Sequence, residues 1–243
     1  MKAGLVLGLD GAGKTLLLRQ LTAQVVRKQK TVLERIVAFA AHPCGGGDGD
    51  KDEGFGAKDG DYAVDPNTQP SVGVEHWTLP LDGGRICTLR EVGAQLLPMW
   101  PSYFESCHFW LFLVDASNAT QLAAAAFEFF SILRVDEMRH KPKLILINQI
   151  DAGFVVDDTI LRSYLCLDHL LAESDSGPVQ ILKVSALTGE NVEQVLKWLG
   201  QVVSSGLFSG NNASIALSGI SGRYRTAGRQ NSGSDIRVHP VAD

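Results

Sequence analysis

Short apolar runs along the chain alternate with segments whose apolar residues recur at helical spacing. The runs predict strands at Lys2–Leu7, Val72–Leu81, Arg85–Val92, His108–Asp115, Lys143–Asn148 and Val179–Val184. The helical spacing predicts helices from Lys14 to about Val26, from Ala119 to about Leu133, at Thr159–Ala172 and at Asn191–Val203. Asp82-Gly83-Gly84 is a hairpin turn sequence. The pattern predicts a three-layer α/β fold with about six strands in a mostly parallel sheet and one antiparallel hairpin.

Two segments depart from this pattern. Residues 44–67 hold almost no large apolar side chains, and within them residues 48–65 carry seven acidic groups against Lys51 and Lys58, a local charge of -5. After Val203 the chain is rich in serine, glycine and asparagine. Neither segment can bury enough apolar surface to offset its ordering entropy. We therefore expect one domain at residues 1–203, with a disordered acidic insertion at 44–67 and a disordered tail at 204–243.

Composition excludes several classes of function. The formal net charge of -5 equals the charge of the acidic insertion, so the domain itself is near neutral and nucleic-acid binding is not expected. The 4 cysteines are far apart, which favours a reducing compartment. No apolar run approaches the roughly 20 residues of a membrane span. Lys2 stands where N-myristoylation requires glycine. We expect a monomer in the cytoplasm.

A phosphate-binding motif follows the first predicted strand. Gly8-Leu9-Asp10-Gly11-Ala12-Gly13-Lys14-Thr15 fits G-x-x-x-x-G-K-[ST] and stands between a strand and a helix. Glycines let consecutive backbone N–H groups surround a phosphate, and the helix N-terminus adds partial positive charge. Lys14 would reach the β- and γ-phosphates, and the Thr15 hydroxyl would coordinate Mg²⁺. The residues expected to bind the nucleotide here are Asp10, Gly11, Ala12, Gly13, Lys14 and Thr15.

Two later segments indicate which base is bound. Asn148-Gln149-Ile150-Asp151 resembles the N-K-x-D motif of GTPases, in which the aspartate accepts from guanine N1–H and the exocyclic amine. Ser185-Ala186-Leu187 resembles the loop whose backbone N–H meets guanine O6. Together these segments predict GTP and GDP as ligands. Gln149 replaces the usual lysine, covers the base less well and lacks the charge, so we expect weak or fast-exchanging nucleotide.

The joint pattern resembles the ADP-ribosylation factor (Arf) family of small GTPases. Gly8–Thr15 resembles that family's G-L-D-x-A-G-K-T loop, and Glu91–Phe104 resembles its W-D-V-G-G-Q followed by P-L-W-x-x-Y-F. Leu111–Ser117 resembles its V-F-V-V-D-S strand end, and Pro70–Gly73 resembles the P-T-x-G of switch I. Arg90-Glu91-Val92-Gly93 further resembles the divergent ADP-ribosylation factor-like protein 16 branch. The resemblance covers about residues 3–203 apart from the insertion and implies a P-loop NTPase fold, the small GTPase G domain.

The resemblance implies a molecular switch and assigns roles to further residues. Such a switch binds GTP or GDP with Mg²⁺, hydrolyses GTP slowly and works with effectors, an exchange factor and an activating protein. Ser71 would contact the metal together with Thr15, and the Ala94 N–H would face the nucleotide. Gln95 would orient the catalytic water. The stretch from Gln95 to Pro98 is shorter than in Arf proteins, so an exposed glutamine without a catalytic role stays open.

The resemblance also implies a cellular setting, which is membrane traffic, including traffic to the cilium. The protein would be cytoplasmic, at the periphery of membranes or near the cilium base, without the family's myristoylated N-terminal helix. An alternative is a hydrolysis-poor, GTP-bound scaffold. The β-subunit of the signal-recognition-particle receptor needs a preceding membrane span, and a P-loop kinase needs a lid for its acceptor substrate. Neither fits this sequence.

Overall fold

A computed structural model describes residues 2–41, 64–173 and 177–204, with no account of the side chains of residues 35–41. In these ranges a six-stranded sheet carries helices on both faces, which confirms the predicted three-layer α/β fold. Most of the predicted insertion (residues 44–63) and nearly all of the predicted tail (residues 205–243) lie outside the described ranges.

Strands and helices follow one another along the described chain. The strands are β1 (Lys2–Gly8), β2 (Val74–Leu81), β3 (Arg85–Val92), β4 (Phe109–Asp115), β5 (Lys143–Asn148) and β6 (Val179–Lys183). The helices are α1 (Lys14–Ala41), α2 (Leu122–Leu133), α3 (Asp136–His140), α4 (Asp158–Tyr164), α5 (Leu167–Ala172) and α6 (Val192–Ser204). A 3-10 helix occupies Ala94–Tyr103 between β3 and β4.

The strand order β2-β3-β1-β4-β5-β6 brings the polar ends of several strands to one edge of the sheet. All neighbouring strands are parallel except β2 and β3, which form the predicted antiparallel hairpin. Asp115 and Asn148 are paired in register at the carboxyl ends of β4 and β5. Because ligands of open α/β sheets bind beyond the carboxyl ends of the strands, this edge is the place for a site.

Two apolar cores hold the layers together. On one face, Leu17, Leu21 and Leu199 pack α1 and α6 against the sheet. On the other face, Trp100 and Phe129 belong to the core beneath the 3-10 helix and α2 to α5. All six residues of β5 are buried, as expected for a parallel strand covered on both sides. The indole N–H of Trp100 donates to the Gly93 carbonyl at 3.2 Å, which anchors the start of the 3-10 helix.

The longest helix extends well past its predicted end. The sequence pattern ends this helix near Val26, where the apolar spacing stops, but α1 continues to Ala41. Residues 27–30 are Arg, Lys, Gln and Lys, which favour helix without adding apolar spacing, and no proline occurs before Pro43. The pattern predicts which residues are buried, whereas the helix end depends on backbone propensity.

Other differences come from local backbone geometry. The single helix predicted at Thr159–Ala172 is two helices, α4 and α5, because Cys166 adopts a left-handed conformation with φ 45° between them. The sequence pattern also misses α3 and the 3-10 helix. The latter contains Pro98 and Pro101, which disfavour a regular α-helix.

Candidate functional site

The loop between β1 and α1 has the backbone geometry that its glycines permit. Gly13 has φ 85°, a left-handed value that disfavours residues with a side chain. A Cβ on Gly13 would collide with the side-chain nitrogen of Asn148. Among the described residues no acceptor is found for the backbone N–H groups of Gly11 and Gly13. Such free N–H groups at a helix N-terminus suit an anion.

Carbonyl groups of the same loop are held by side chains from several elements. The Lys14 ammonium donates to the carbonyls of Gly8 at 2.9 Å and Leu9 at 3.0 Å. The Gln149 amide donates to Gly11 at 2.7 Å. Lys14 is 6% exposed, and this burial lowers the pKa of its ammonium, while the nearby carboxylates of Glu91 and Asp10 act in the opposite direction. The site therefore holds a desolvated cation beside the free backbone N–H groups.

Thr15, Ser71 and Glu91 form a second cluster beside this loop. The Thr15 hydroxyl donates to Glu91 Oε1 at 2.6 Å, and the Ser71 hydroxyl donates to the same oxygen at 3.0 Å. The two hydroxyl oxygens are 3.0 Å apart. Glu91 is fully buried, and no hydrogen-bond partner of its Oε2 is found in the described part of the chain. A buried carboxylate with one unpaired oxygen is costly unless a cation or donor compensates it.

The donor set of this cluster fits Mg²⁺. The ion prefers hard oxygen ligands, uses few protein groups and commonly takes the rest from water and substrate phosphates. Two hydroxyls backed by a buried carboxylate satisfy that preference. Within residues 2–41, 64–173 and 177–204 there is no group of three or more His, Cys, Asp or Glu that could hold a metal alone.

Asn148 joins the phosphate loop to the two predicted base-reading segments. It is 1% exposed, and its amide nitrogen donates to the Ala12 carbonyl at 2.8 Å. Its oxygen accepts from the Ala186 backbone N–H at 3.0 Å. Ser185 is buried, and its hydroxyl accepts from the Thr188 N–H at 2.9 Å, which shapes the loop. One side chain thus brings together three segments that are far apart in the sequence.

The remaining residues of these segments lie nearer the surface. Gln149 adopts φ 64°, while Asp151 and Leu187 are exposed at the same edge. The side chain of Asp151 makes no hydrogen bond within the part of the chain that the structure describes. An exposed carboxylate beyond a buried strand end is accessible to a ligand.

The segment around Gly93 contacts the predicted switch I. The Gly93 N–H donates to the Gly73 carbonyl at 3.0 Å. A Cβ on Gly93 would collide with the Ser71 carbonyl, so close approach, rather than an unusual φ, requires glycine there. Ala94 is half-buried and begins the 3-10 helix, whereas Gln95 is exposed and makes no hydrogen bond with another described residue. Ser71 is thereby fixed, but the side chain of Gln95 is not.

Comparison with known proteins identifies the family. The model of the ADP-ribosylation factor family matches residues 64–203. The chain belongs to the Arf family. It is similar to human ADP-ribosylation factor-like protein 16, with 28% identity over 195 residues that cover 80% of this chain and 83% of that protein. It is also similar to ADP-ribosylation factor-like protein 3 of Saccharomyces cerevisiae, with 28% identity over 199 residues that cover 80% and 82%.

A solved structure supports the Arf-family fold. The small GTPase Arl6 (BBS3) of Trypanosoma brucei, solved with the bound nucleotide analogue GppNp, has a TM-score of 0.58 and 19% identity to this chain. The match covers 84% of this chain and 97% of that one. The predicted class is therefore confirmed: the chain is an Arf-family small GTPase, a GTP-binding switch. No described helix of this Arf-family protein has the length and apolar character to span a membrane.

Three residues that hydrogen-bond to predicted site residues of this Arf-family protein were not predicted from the sequence. The sequence assigns Glu91 no role in the site, yet its Oε1 accepts hydrogen bonds from the hydroxyls of both Thr15 and Ser71. Gln121 donates to the Asp10 carbonyl at 3.1 Å, and the Ser117 hydroxyl contacts the Gln149 amide oxygen at 3.0 Å. For Glu91, the R-E-x-G segment was a clue, because it marks the start of switch II. Ser117 ends the segment that resembles the family's V-F-V-V-D-S, which assigns it no contact, and Gln121 lies outside the recognised motifs. The contacts of both become visible only through the fold.

Proposed function

We propose that this Arf-family protein binds GTP and GDP together with Mg²⁺ and hydrolyses GTP slowly. The observation that carries the proposal is the position of Asn148, whose buried amide contacts both the phosphate loop and the loop at Ser185–Leu187. A ligand that spans these two loops would carry phosphates at one end and a base at the other. GTP and GDP have this form.

Guanine selectivity would come from Asp151 and the adjacent loop. The Asp151 carboxylate would accept from guanine N1–H and the exocyclic amine, two neighbouring donors that adenine does not present. The backbone of the Ser185–Leu187 loop would offer an N–H to guanine O6. Exposed Leu187 lies in this loop and would cover part of the base. Gln149 would replace the usual lysine beneath the base without its charge.

Thr15 and Ser71 would hold the metal ion. When bound, Mg²⁺ neutralises charge on the β- and γ-phosphate oxygens. Glu91 would keep both hydroxyls oriented, because its Oε1 accepts from each of them. Lys14, which now donates to two loop carbonyls, would turn its ammonium to the phosphate oxygens. The chain itself thereby supplies hydroxyl ligands, a positioned carboxylate and one cation.

Intrinsic hydrolysis would be slow, roughly 10⁻⁴ to 10⁻³ s⁻¹, with acceleration from an activating protein. Gln95 would orient the attacking water when an effector or activating protein fixes the start of the 3-10 helix. Its exposed side chain has no hydrogen bond to hold it among the described residues. This observation also favours a second candidate, a hydrolysis-poor GTP-bound scaffold.

The cellular role would be recruitment of effectors in membrane traffic, including traffic to the cilium. An exchange factor would load GTP and an activating protein would end the signal. The protein would act as a cytoplasmic monomer at the periphery of membranes or near the cilium base. The family assignment supports this setting, and comparing effector capture by the GTP-loaded and GDP-loaded forms separates the switch from the scaffold. A scaffold would capture the same proteins in both forms.

A base-exchange experiment tests the proposed ligand. Xanthine carries a carbonyl where guanine carries its amine, so Asp151→Asn, which adds a donor, should change the preferred ligand from GDP to XDP. Asp158→Asn, at an exposed carboxylate that pairs with Lys183, is the matched control and should keep the GDP preference. Unchanged GDP preference in Asp151→Asn would show that this carboxylate does not read the base. Hydrolysis is measured separately, as single-turnover phosphate release with and without cell extract. An intrinsic rate of ~1 s⁻¹ would contradict the proposed site.

A further inference from the structure

Consecutive carbonyl groups of the phosphate loop all accept hydrogen bonds from side chains. As described above, the Lys14 ammonium donates to the carbonyls of Gly8 and Leu9, and the Asn148 amide donates to the carbonyl of Ala12. The two carbonyls between them are held by glutamines. Gln121 donates to Asp10 at 3.1 Å and Gln149 donates to Gly11 at 2.7 Å. When a peptide carbonyl is fixed on the outer side of a loop, the N–H of the same peptide, which belongs to the next residue, points to the inner side. That inner side is where an anion binds.

Gln121 is itself fixed by the turn that follows β4. It precedes α2, and its backbone N–H donates to the carbonyl of Asn118 at 3.2 Å and to the side-chain oxygen of Asn118 at 3.2 Å. The same side-chain oxygen accepts from the Thr120 hydroxyl at 2.7 Å. Gln121 therefore reaches the phosphate loop from an ordered turn, although no recognised nucleotide motif includes it.

Gln149 is fixed by Ser117 in the same segment. The Ser117 hydroxyl lies 3.0 Å from the Gln149 amide oxygen and 2.7 Å from Asp115 Oδ1. The Ser117 N–H also donates to Asp115 Oδ1 at 2.7 Å. A glutamine amide can donate at one end and accept at the other, whereas an ammonium only donates. Ser117 thus orients the amide whose nitrogen holds the Gly11 carbonyl.

We propose that Ser117 and Gln121 are positioning residues for the phosphate loop. Gln121 fixes the Asp10 carbonyl, and the N–H of that peptide, which belongs to Gly11, is thereby directed to the β-phosphate of the nucleotide. Ser117, through Gln149, fixes the Gly11 carbonyl, while the N–H of that peptide, which belongs to Ala12, donates to the Leu9 carbonyl at 3.3 Å. These two hydrogen bonds hold the loop in the shape that surrounds the β-phosphate. The inference rests on the proposed nucleotide binding and extends it. Because GMP has no β-phosphate, losing either residue weakens GDP binding more than GMP binding.

The test compares the affinity of the full chain for GDP and GMP. In the wild-type protein the ratio of the GMP to the GDP dissociation constant measures how well the loop binds the β-phosphate. Gln121→Met removes the amide at similar size, and Ser117→Ala removes the hydroxyl. Each variant is expected to lower the ratio by about three- to tenfold, the effect of one hydrogen bond. Gln29→Met, at an exposed glutamine of α1, is the matched control and should leave the ratio unchanged.

Thermal unfolding of the nucleotide-free variants separates positioning from a merely structural role. The proposal expects melting temperatures close to wild type together with a lowered GMP-to-GDP ratio. Equal weakening of GDP and GMP, or no weakening of either, overturns the proposal. If the wild-type protein binds GDP tightly and both variants have the same GMP-to-GDP ratio as the wild type, only this inference is overturned. A wild-type protein that binds neither nucleotide overturns the proposed function, and the inference falls with it.

Discussion

Gly13 and Asn148 are in a contact that leaves no room for a side chain at position 13. A Cβ on Gly13 would collide with the Asn148 amide nitrogen, which donates to the Ala12 carbonyl at 2.8 Å. Asn148 cannot move away easily, because its oxygen accepts from the Ala186 N–H and the side chain is buried. The phosphate loop and the predicted base loop are therefore coupled through one amide.

The first prediction compares alanine at two glycines of this loop. Gly11 and Gly13 both have positive φ, 77° and 85°, so Gly→Ala strains the backbone at each. Only Gly13 adds a collision, since nothing lies within contact distance of a Cβ on Gly11. We expect Gly13→Ala to lower the free energy of unfolding by about 2–4 kcal/mol and Gly11→Ala by about 1 kcal/mol. Urea unfolding of the nucleotide-free protein measures both.

A double variant identifies the cause of that difference. In Gly13→Ala/Asn148→Ala the colliding amide is gone, so the two changes together should cost less than the sum of the single changes. Strictly additive costs would mean that the contact with Asn148 does not explain the loss of stability at position 13.

Much of the fold was predictable from burial patterns, whereas the differences between predicted and observed elements arise from backbone geometry. The predicted bounds of β5, Lys143–Asn148, agree with the structure because a strand buried on both faces is apolar throughout. The predicted end of α1 near Val26 was wrong, because charged helix formers extend the helix to Ala41 without changing the apolar pattern. The break at Cys166 depends on a left-handed backbone that an ordinary cysteine does not signal.

The second prediction concerns the dependence of nucleotide binding on magnesium. Glu91→Gln keeps the size of the side chain but removes the negative charge beside the hydroxyls of Thr15 and Ser71. We expect the Mg²⁺ affinity of the GDP complex to fall about tenfold, the usual effect of losing a group that orients metal ligands. The measurement is the GDP dissociation rate over a range of free Mg²⁺ concentrations.

Glu75→Gln is the control for this change. Glu75 is directly opposite Glu91 on the neighbouring strand β2 but is exposed, so the same charge is removed without touching the hydroxyls. Its Mg²⁺ dependence should match the wild type. Equal Mg²⁺ dependence in Glu91→Gln and Glu75→Gln would refute a role for Glu91 at the metal.

The third prediction concerns the replaced lysine of the base-reading motif. Gln149→Lys keeps a donor to the Gly11 carbonyl, makes that hydrogen bond charge-assisted and leaves the Ser117 hydroxyl free for Asp115. We expect GDP release to slow by about three- to tenfold, as followed by displacement of a fluorescent GDP. Gln149→Met, which loses the donor, should release GDP faster than the wild type. A wild-type GDP dissociation constant in the picomolar range would contradict the hypothesis that Gln149 weakens binding.

The fourth prediction concerns pH and a buried lysine away from the site. Lys143 is fully buried, donates to the Arg139 carbonyl at 2.7 Å, and burial lowers the pKa of its ammonium to about 8. Between that pH and the ordinary lysine value, the unfolded chain holds a proton that the folded protein has released. The unfolded state binds more protons there, so stability contributed through Lys143 rises with pH. Below pH ~8 both states are protonated and the burial penalty is complete.

The difference in the free energy of unfolding between the wild type and a variant without Lys143 separates this group from the other groups that titrate at alkaline pH. The free energy of unfolding of the wild type minus that of Lys143→Met should rise between about pH 8 and 10, by an amount on the order of 1–3 kcal/mol. Lys197→Met, which removes an exposed lysine, is the control and should give a difference curve without this rise. A flat curve for Lys143→Met would mean that its pKa is not lowered by burial.

The candidate site was predictable where a recognised motif encodes it. Lys14, Thr15 and Asn148 lie in motifs whose residue types follow from phosphate and base chemistry, and the structure brings them together. Gln121 was not predictable, because only the parallel pairing of β1 with β4 brings the turn after β4 beside the phosphate loop. Whether Gln95 acts in hydrolysis depends on a surface segment that a partner would order, and neither sequence nor fold determines that contact.

Guanine-nucleotide binding is tested most directly by identifying the nucleotide that the purified protein carries. The protein is denatured by heat, and the released nucleotide is separated by chromatography and compared with standards. We expect GDP or GTP at close to one molecule per chain, and much less in the Asp151→Ala variant. Release of ATP, or of no nucleotide even after incubation with millimolar GTP and Mg²⁺, would contradict this expectation.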